Sequence, residues 1–107
     1  MFARNAHFQL KSLNLAAEFA WRFENEMLPL LRQQKGFKGE ITLSNPGSLE
    51  QIAISLWESK ENAEAYNANI YPKVLKILAK VIDGRPKIRT FDSVTLNLEL
   101  GKQRGKA

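Results

Sequence analysis

The period of the apolar residues changes at Trp57, and this change constrains the fold more than any other feature of the chain. Isoleucine or leucine occupies every second position over residues 52–56, and a period of two is typical of a β-strand. Ser59 then stands where a helix N-cap belongs, and Glu61 lies in the first turn, where the helix dipole favours negative charge. The sequence therefore predicts a strand over residues 51–57 and a helix that begins directly after Ser59.

Three further segments alternate with a period of two, and two others have helical periodicity. The additional predicted strands are residues 2–11, 37–44 and 87–98. Apolar residues recur three and four positions apart between Asn14, the expected N-cap, and Gln34, which indicates an amphipathic helix. Because Pro29 cannot donate a backbone hydrogen bond, we expect a kink near residues 25–28. The second helical region is expected to break before Pro72, which opens a further helix.

The predicted elements follow the order strand, helix, strand, strand, helix, strand. This is the order of a ferredoxin-like split βαβ domain, in which helices cover one face of an antiparallel sheet. We therefore predict an α+β fold, with one domain over residues 1–100. Strands two to four carry apolar side chains on both faces, and two helices cannot cover both. Since an uncovered apolar face favours association, the sequence predicts a homodimer packed sheet to sheet.

Charge and composition narrow the classes of function. The chain has 16 basic and 11 acidic residues, but three of the basic ones lie in residues 101–107, which leaves 13 − 11 = +2 for the remainder. This ordinary balance, without an RNA-binding aromatic motif, predicts no nucleic-acid partner. Residues 101–107 are predicted to be a disordered basic tail. The chain has no cysteine, no long apolar run and no signal-peptide pattern, so we expect a cytoplasmic protein without disulfides and without a membrane partner.

Five residues are candidates for a site. Asn5 and His7 lie two positions apart on the first predicted strand, so they are expected to share one of its faces. His7 is a candidate base because the unperturbed pKa of histidine suits proton transfer near neutral pH, and Asn5 is a candidate donor to a developing oxyanion. Trp57, Tyr66 and Tyr71 are the candidates for binding a planar ring. Each of the five also has a structural interpretation, because strand-end and helix-face aromatic residues commonly pack in a core.

We expect four of these side chains to converge beneath the second helical region, namely Asn5, His7, Trp57 and Tyr66. His7 is the only histidine of the chain, so a metal site built from several histidines is excluded. We predict no metal site.

The first strand, the segment LPLLRQQKGFKG (residues 28–39) and the segment WESKENAEAY (residues 57–66) resemble the antibiotic biosynthesis monooxygenase family. The resemblance covers about residues 1–98. It implies a dimeric α/β barrel and a possible cofactor-independent monooxygenase that acts on a small aromatic or polyketide-like compound. A non-catalytic dimeric domain, one that binds a small molecule or serves in a stress response, is the alternative for the same fold.

The resemblance also bears on individual residues. Quinone-forming members have a tryptophan at the position of Trp57, but Ala53 and Ala63 stand where those members have an asparagine and a tyrosine. Haem-degrading members have an asparagine in the first strand, which Asn5 matches, and an axial histidine where Lys76 stands. Without that histidine, haem iron would lack its protein ligand. We therefore expect no haem, and the resemblance to cofactor-independent monooxygenases implies no other cofactor.

Overall fold

The computed structural model describes residues 1–99 of the 107-residue chain. Its strands are β1 (Phe2–Gln9), β2 (Phe37–Ser44), β3 (Glu50–Trp57) and β4 (Lys87–Phe91). Its α-helices are α1 (Ala16–Arg22), α2 (Leu28–Arg32), α3 (Lys60–Asn69) and α4 (Tyr71–Leu78). The predicted basic tail, residues 101–107, lies outside the described residues.

The four strands form one antiparallel sheet in the order β2-β3-β1-β4. One strand therefore lies between β1 and β2, and one lies between β3 and β4, as a split βαβ arrangement requires. The predicted α+β, ferredoxin-like fold with helices on one face of the sheet is confirmed. Within residues 1–99, no helix has the length and apolar character needed to cross a bilayer.

The strand register decides which side chains face the helices. Phe2 lies opposite Trp57, and Ala6 lies opposite Ala53. These side chains are buried in one core together with Phe8, whose ring centroid lies 5.6 Å from that of Phe19 on α1. Each large apolar side chain buried in this way contributes roughly 1.5–3 kcal/mol relative to an exposed one, so the core fixes both the helix positions and the face of the sheet that they cover.

The opposite face of the sheet carries the side chains of the other parity, because successive side chains of a strand point in opposite directions. This open face comprises Asn5, His7, Ile41, Leu43, Ile52, Ile54 and Leu56. Ile41 and Leu43 are 40% and 48% exposed. None of these residues belongs to the buried core that the helices cover.

The first helical region departs from regular α-helical geometry at its start and again before Pro29. It opens with a 3₁₀ turn, Leu13–Leu15, whose N-cap position is Ser12, so the prediction of Asn14 as N-cap is wrong. The Asn14 side chain instead accepts a hydrogen bond from the Ser12 hydroxyl. A π-helical turn, Phe23–Met27, joins α1 to α2 directly before Pro29. Since Pro29 has no N–H to donate four residues back, the irregularity predicted near residues 25–28 occurs as a π turn.

The last strand is shorter than the predicted strand over residues 87–98. β4 pairs only with β1, and Phe91 lies opposite Ala3, the second residue of β1. Beyond this point β1 has almost no residues left to offer hydrogen bonds. Residues 92–99 therefore form no strand in this chain, although Leu96 and Leu98 keep an apolar alternation and are exposed.

The boundaries of the second helical region agree with the sequence prediction. Ser59 caps α3, because its hydroxyl oxygen accepts a hydrogen bond from the Asn62 backbone N–H at 3.2 Å. α3 ends at Asn69, and α4 begins at Tyr71 with Pro72 in its first turn. Pro72 suits that position because its missing N–H would have no intrahelical partner there. The break between α3 and α4 brings Tyr71 over the sheet.

Candidate functional site

A cleft of about 570 Å³ lies between the second helical region and the β1–β4 half of the sheet. The residues that build its walls include Phe2, Arg4, Asn67, Tyr71, Ile88 and Thr90. Its volume is in the range of small-molecule sites, which are largely apolar with a few polar groups.

Arg4 is the central polar residue of the cleft. It is 4% exposed, and its Nη2 donates a hydrogen bond to Asn67 Oδ1 at 2.9 Å. The guanidinium carbon lies 4.0 Å from the Tyr71 ring centroid and 5.3 Å from that of Tyr66. A desolvated cation over an aromatic face is stabilised by about 2 kcal/mol, so the two tyrosines hold the guanidinium in one place.

The position of Arg4 follows from its place in β1. It has the same parity as Phe2 and Phe8, so its side chain enters the space beneath the helices. Its register partner in β3 is Ser55, whose hydroxyl donates to the Arg4 carbonyl oxygen at 3.3 Å. The backbone of Arg4 is therefore held on the rigid centre of the sheet rather than on a loop.

The two tyrosines act as neutral hydrogen-bonding groups at physiological pH. Burial raises the pKa of Tyr66 to about 12, and the positive charge of Arg4 opposes this shift. Burial also raises the pKa of Tyr71, whereas the charge of Arg4, the approach of its guanidinium to the Tyr71 side chain and the charge of Arg85 oppose the shift. The Tyr71 hydroxyl is buried and has no hydrogen-bond partner within residues 1–99. A buried hydroxyl without a partner costs about 1–3 kcal/mol, which marks Tyr71 as a position where a ligand group would be favourable.

Arg4 and Tyr71 also line a second, inner cavity of about 20 Å³. This space is large enough for about one water molecule. Its polar lining includes Glu40, whose pKa is raised by burial while the Thr42 hydroxyl, 2.7 Å from Glu40 Oε2, opposes the shift. Arg4 and Tyr71 therefore lie between the cleft and a space that reaches the π turn and α2.

Charged residues at the rim make the cleft positive. Lys60 and Arg85 line it together with Arg4, whereas Glu64 is the one carboxylate among the described residues of its lining. Within residues 1–99, no group of three or more His, Cys, Asp and Glu side chains is placed to hold a metal ion.

The structure brings together only part of the predicted site. Tyr66 and Tyr71 meet at Arg4, with their ring centroids 6.2 Å apart. Trp57 packs 5.1 Å from Tyr66 but is 0% exposed, and its indole N–H donates to the Ser55 hydroxyl at 2.9 Å. Trp57 is therefore a core residue behind the tyrosines and does not line the cleft.

The predicted convergence of Asn5 and His7 with Trp57 and Tyr66 is wrong. Asn5 and His7 do share a face of β1, but it is the open face, on the far side of the sheet. His7 Nε2 lies 2.6 Å from Glu50 Oε2 there. The catalytic roles of Asn5 and His7 stay predictions, but their side chains lie on the face of the sheet away from the cleft and do not line it.

Sequence reasoning missed Arg4, Asn67 and Arg85. A signal for Arg4 was present, because a charged residue at the parity of Phe2 and Phe8 is unusual on the core face of a strand. Asn67 and Arg85 had no comparable signal, since their place at the cleft depends on contacts with distant residues.

Known proteins were compared with the chain by sequence and by structure. No model of a known protein family matches the sequence, and no curated protein matches it. Solved structures do match. A monooxygenase from the gene ActVA-Orf6 of Streptomyces coelicolor, solved in complex with nanaomycin D, is 14% identical with a TM-score of 0.75, over 92% of this chain and 91% of that chain.

Two more structures show the same likeness. SnoaB, a cofactor-independent oxygenase from Streptomyces nogalater, is 16% identical with a TM-score of 0.70, over 94% of this chain and 97% of that chain. A Deinococcus radiodurans protein provisionally named an antibiotic biosynthesis monooxygenase is 12% identical with a TM-score of 0.73, over 94% of this chain and 100% of that chain. At these identities the likeness concerns the fold, and the chain has the fold of the antibiotic biosynthesis monooxygenases, as the sequence resemblance predicts.

Proposed function

We propose that the chain binds a small aromatic molecule in the cleft beside Arg4 and oxidises it with molecular oxygen as a cofactor-independent monooxygenase. The observation that carries this proposal is the stacking of the buried Arg4 guanidinium on the Tyr71 ring, 4.0 Å from its centroid, at the wall of the cleft. The buried Tyr71 hydroxyl has no hydrogen-bond partner within residues 1–99. Phe2 and Ile88 supply apolar walls on which a flat ring can pack. Solved proteins of the same fold that are described as oxygenases support the choice of reaction.

The chemistry assigned to the tyrosines is hydrogen bonding and not proton abstraction. Because burial raises the pKa of both phenols, both stay protonated at neutral pH, and no phenolate is available to accept a proton. Tyr71 can donate a hydrogen bond to an oxygen of the substrate, and Arg4 can stabilise negative charge that develops there. An anthrone methylene that reacts with oxygen gives a quinone carbonyl and one water molecule, so the reaction needs no further reductant.

A non-catalytic binding protein is the second candidate. It is favoured by Ala53 and Ala63, which stand where the resembling quinone-forming enzymes have an asparagine and a tyrosine. Ala63 lines the cleft and Ala53 lines the inner cavity, so both replacements remove polar groups from the neighbourhood of Arg4.

An oxygen electrode separates the two candidates. Purified protein is mixed with a panel of hydroquinones and anthrones, and oxygen uptake is compared with the quinone formed. The enzyme proposal expects protein-dependent uptake of one oxygen molecule per quinone formed from an anthrone, without release of hydrogen peroxide, and this uptake is reduced in a Tyr71→Phe variant. Hydroquinones oxidised with one hydrogen peroxide per quinone would indicate an oxidase instead. Ligand binding without oxygen uptake would instead support the binding protein, and neither binding nor uptake would reject both.

We further propose that the chain is a homodimer packed through the open face. A second copy is the occupant that suits this face, because its apolar side chains extend over β2 and β3 and include Ile41 and Leu43, which are exposed. Leu96 and Leu98 add apolar surface that the described chain leaves exposed. Light scattering at micromolar concentration should give twice the 12.2 kDa chain mass, and a mass of one chain would contradict the dimer.

A further inference from the structure

Arg4 is a buried cation that no acidic side chain neutralises within residues 1–99. The ion pairs of the described chain involve His7 and Arg22, and none of them includes Arg4. A guanidinium offers five N–H donors, and one Arg4 side-chain hydrogen bond is formed, with Asn67. Burying a charge is costly unless it is paired, and the two tyrosine rings compensate only part of this cost.

Two carboxylates line the spaces beside Arg4, Glu64 in the cleft and Glu40 in the inner cavity, but neither forms an ion pair with it. The unpartnered Tyr71 hydroxyl is neutral at physiological pH and can donate a hydrogen bond. Arg85 and Lys60 add positive charge at the rim. An oxygen atom of a ligand placed between the guanidinium and the Tyr71 hydroxyl would pair the charge and satisfy the hydroxyl together.

The walls of the cleft restrict what can carry such an anion. Phe2, Leu75, Pro86 and Ile88 are apolar and line the cleft around Arg4. One buried guanidinium with apolar walls suits a single negative charge on a flat ring better than a strongly hydrated phosphate, which would need several donors.

We infer that the ligand of the cleft is an aromatic anion, a carboxylate or a phenolate, whose charged oxygen binds against Arg4 and the Tyr71 hydroxyl. This inference rests on the proposed binding of an aromatic molecule in the same cleft. It adds that affinity depends on the negative charge and not on the ring alone.

Three naphthalene probes separate charge from ring. Binding of 2-naphthoate, its neutral analogue 2-naphthamide and 4-nitro-1-naphthol is measured by calorimetry at pH 7. We expect 2-naphthoate or the ionised naphthol to bind about tenfold or more tightly than 2-naphthamide, as a hydrogen bond to a charged group would produce. The two sources of the anion are distinguished by affinity, because 4-nitro-1-naphthol is already largely ionised at pH 7. Tighter binding of nitronaphtholate than of 2-naphthoate identifies a phenolate site, whereas the reverse order identifies a carboxylate site.

Variants then assign the charge preference to Arg4. Arg4→Gln should remove the preference for the anion over 2-naphthamide, and Arg4→Lys should keep part of it. Arg32→Gln is the matched control, because this substitution makes the same change in net charge at an exposed residue at the end of α2, away from the cleft. If Arg4→Gln does not fold, Tyr71→Phe replaces it. This variant should weaken binding of the anion severalfold and weaken binding of 2-naphthamide less, because the hydrogen bond to a charged oxygen is the stronger one.

The outcomes separate this inference from the proposed function. Equal binding of 2-naphthoate, nitronaphtholate and 2-naphthamide overturns the anion site but leaves aromatic binding in place. An anion preference that persists in both Arg4→Gln and Tyr71→Phe also overturns it. Failure of all three probes to bind rejects the aromatic cleft and the anion site together.

Discussion

The hydrogen bond between Trp57 and Ser55 gives a prediction whose size follows from the structure. The indole N–H donates to the Ser55 hydroxyl at 2.9 Å, and Trp57 is 0% exposed, so no water can replace the serine. Ser55→Ala leaves this donor buried without a partner and also removes the bond from Ser55 to the Arg4 carbonyl. We expect a loss of about 1–3 kcal/mol in the free energy of unfolding, which corresponds to a fall in melting temperature of about 4–8 °C per kcal/mol.

Urea unfolding at one fixed protein concentration measures this loss, since association would otherwise shift the apparent stability. Ser44→Ala is the control, because Ser44 is exposed on β2 and its removal should change stability by less than about 0.5 kcal/mol. A second variant, Trp57→Phe, removes the donor itself. In the double variant, the added cost of Ser55→Ala should be smaller by about 1 kcal/mol or more. Equal, additive effects of Ser55→Ala with and without the indole would refute the reasoning.

Three further predictions concern other parts of the fold. Gly36→Ala should lower the free energy of unfolding in urea more than Gly84→Ala does, and equal losses would contradict this. Both glycines have positive φ, but a Cβ at Gly36 collides with the Asn62 side chain, whereas one at Gly84 meets nothing within 4 Å. Ser59→Ala should cost about 1 kcal/mol through the lost N-cap, and an unchanged melting temperature would contradict it. Burial raises the pKa of Tyr66 from 10.0 to about 12, so the stability that its neutral phenol contributes is complete below pH 10 and is lost as the pH rises towards 12. The melting temperature of Tyr66→Phe should therefore fall less than that of the unmodified protein over this pH range, and an equal fall would contradict the prediction.

The sequence predicts the elements well because their signals are local. β2 has the predicted bounds, and the bounds of β3 differ from the prediction by one residue, since alternation is visible within each segment. Ser59 and Pro72 also act within one helical turn. The end of β4 was not predictable in this way, because it is set by where β1 begins, almost ninety residues earlier in the chain.

The site was less predictable because it depends on which face of β1 the helices cover. Alternation groups Asn5 with His7 and Arg4 with Phe2, but it does not say which group meets the helices. Phe2 and Phe8, which share the parity of Arg4, indicate that Arg4 lies on the core face. The site prediction instead relied on Asn5 and His7, because they form a polar pair on one face of the strand. The burial of Arg4 is decided by Tyr66 and Tyr71, more than sixty positions away, and no local pattern contains that information.

The most direct test of the central claim, that an aromatic ligand binds in the cleft, compares two asparagine side chains by NMR. Asn67 lines the cleft, whereas Asn5 lies on the open face of the same sheet. During titration with 2-naphthoate, the account predicts a saturable shift of the Asn67 side-chain amide signals and little change at Asn5. Shifts at Asn5 and His7 without a change at Asn67 would place the ligand on the open face and contradict the account.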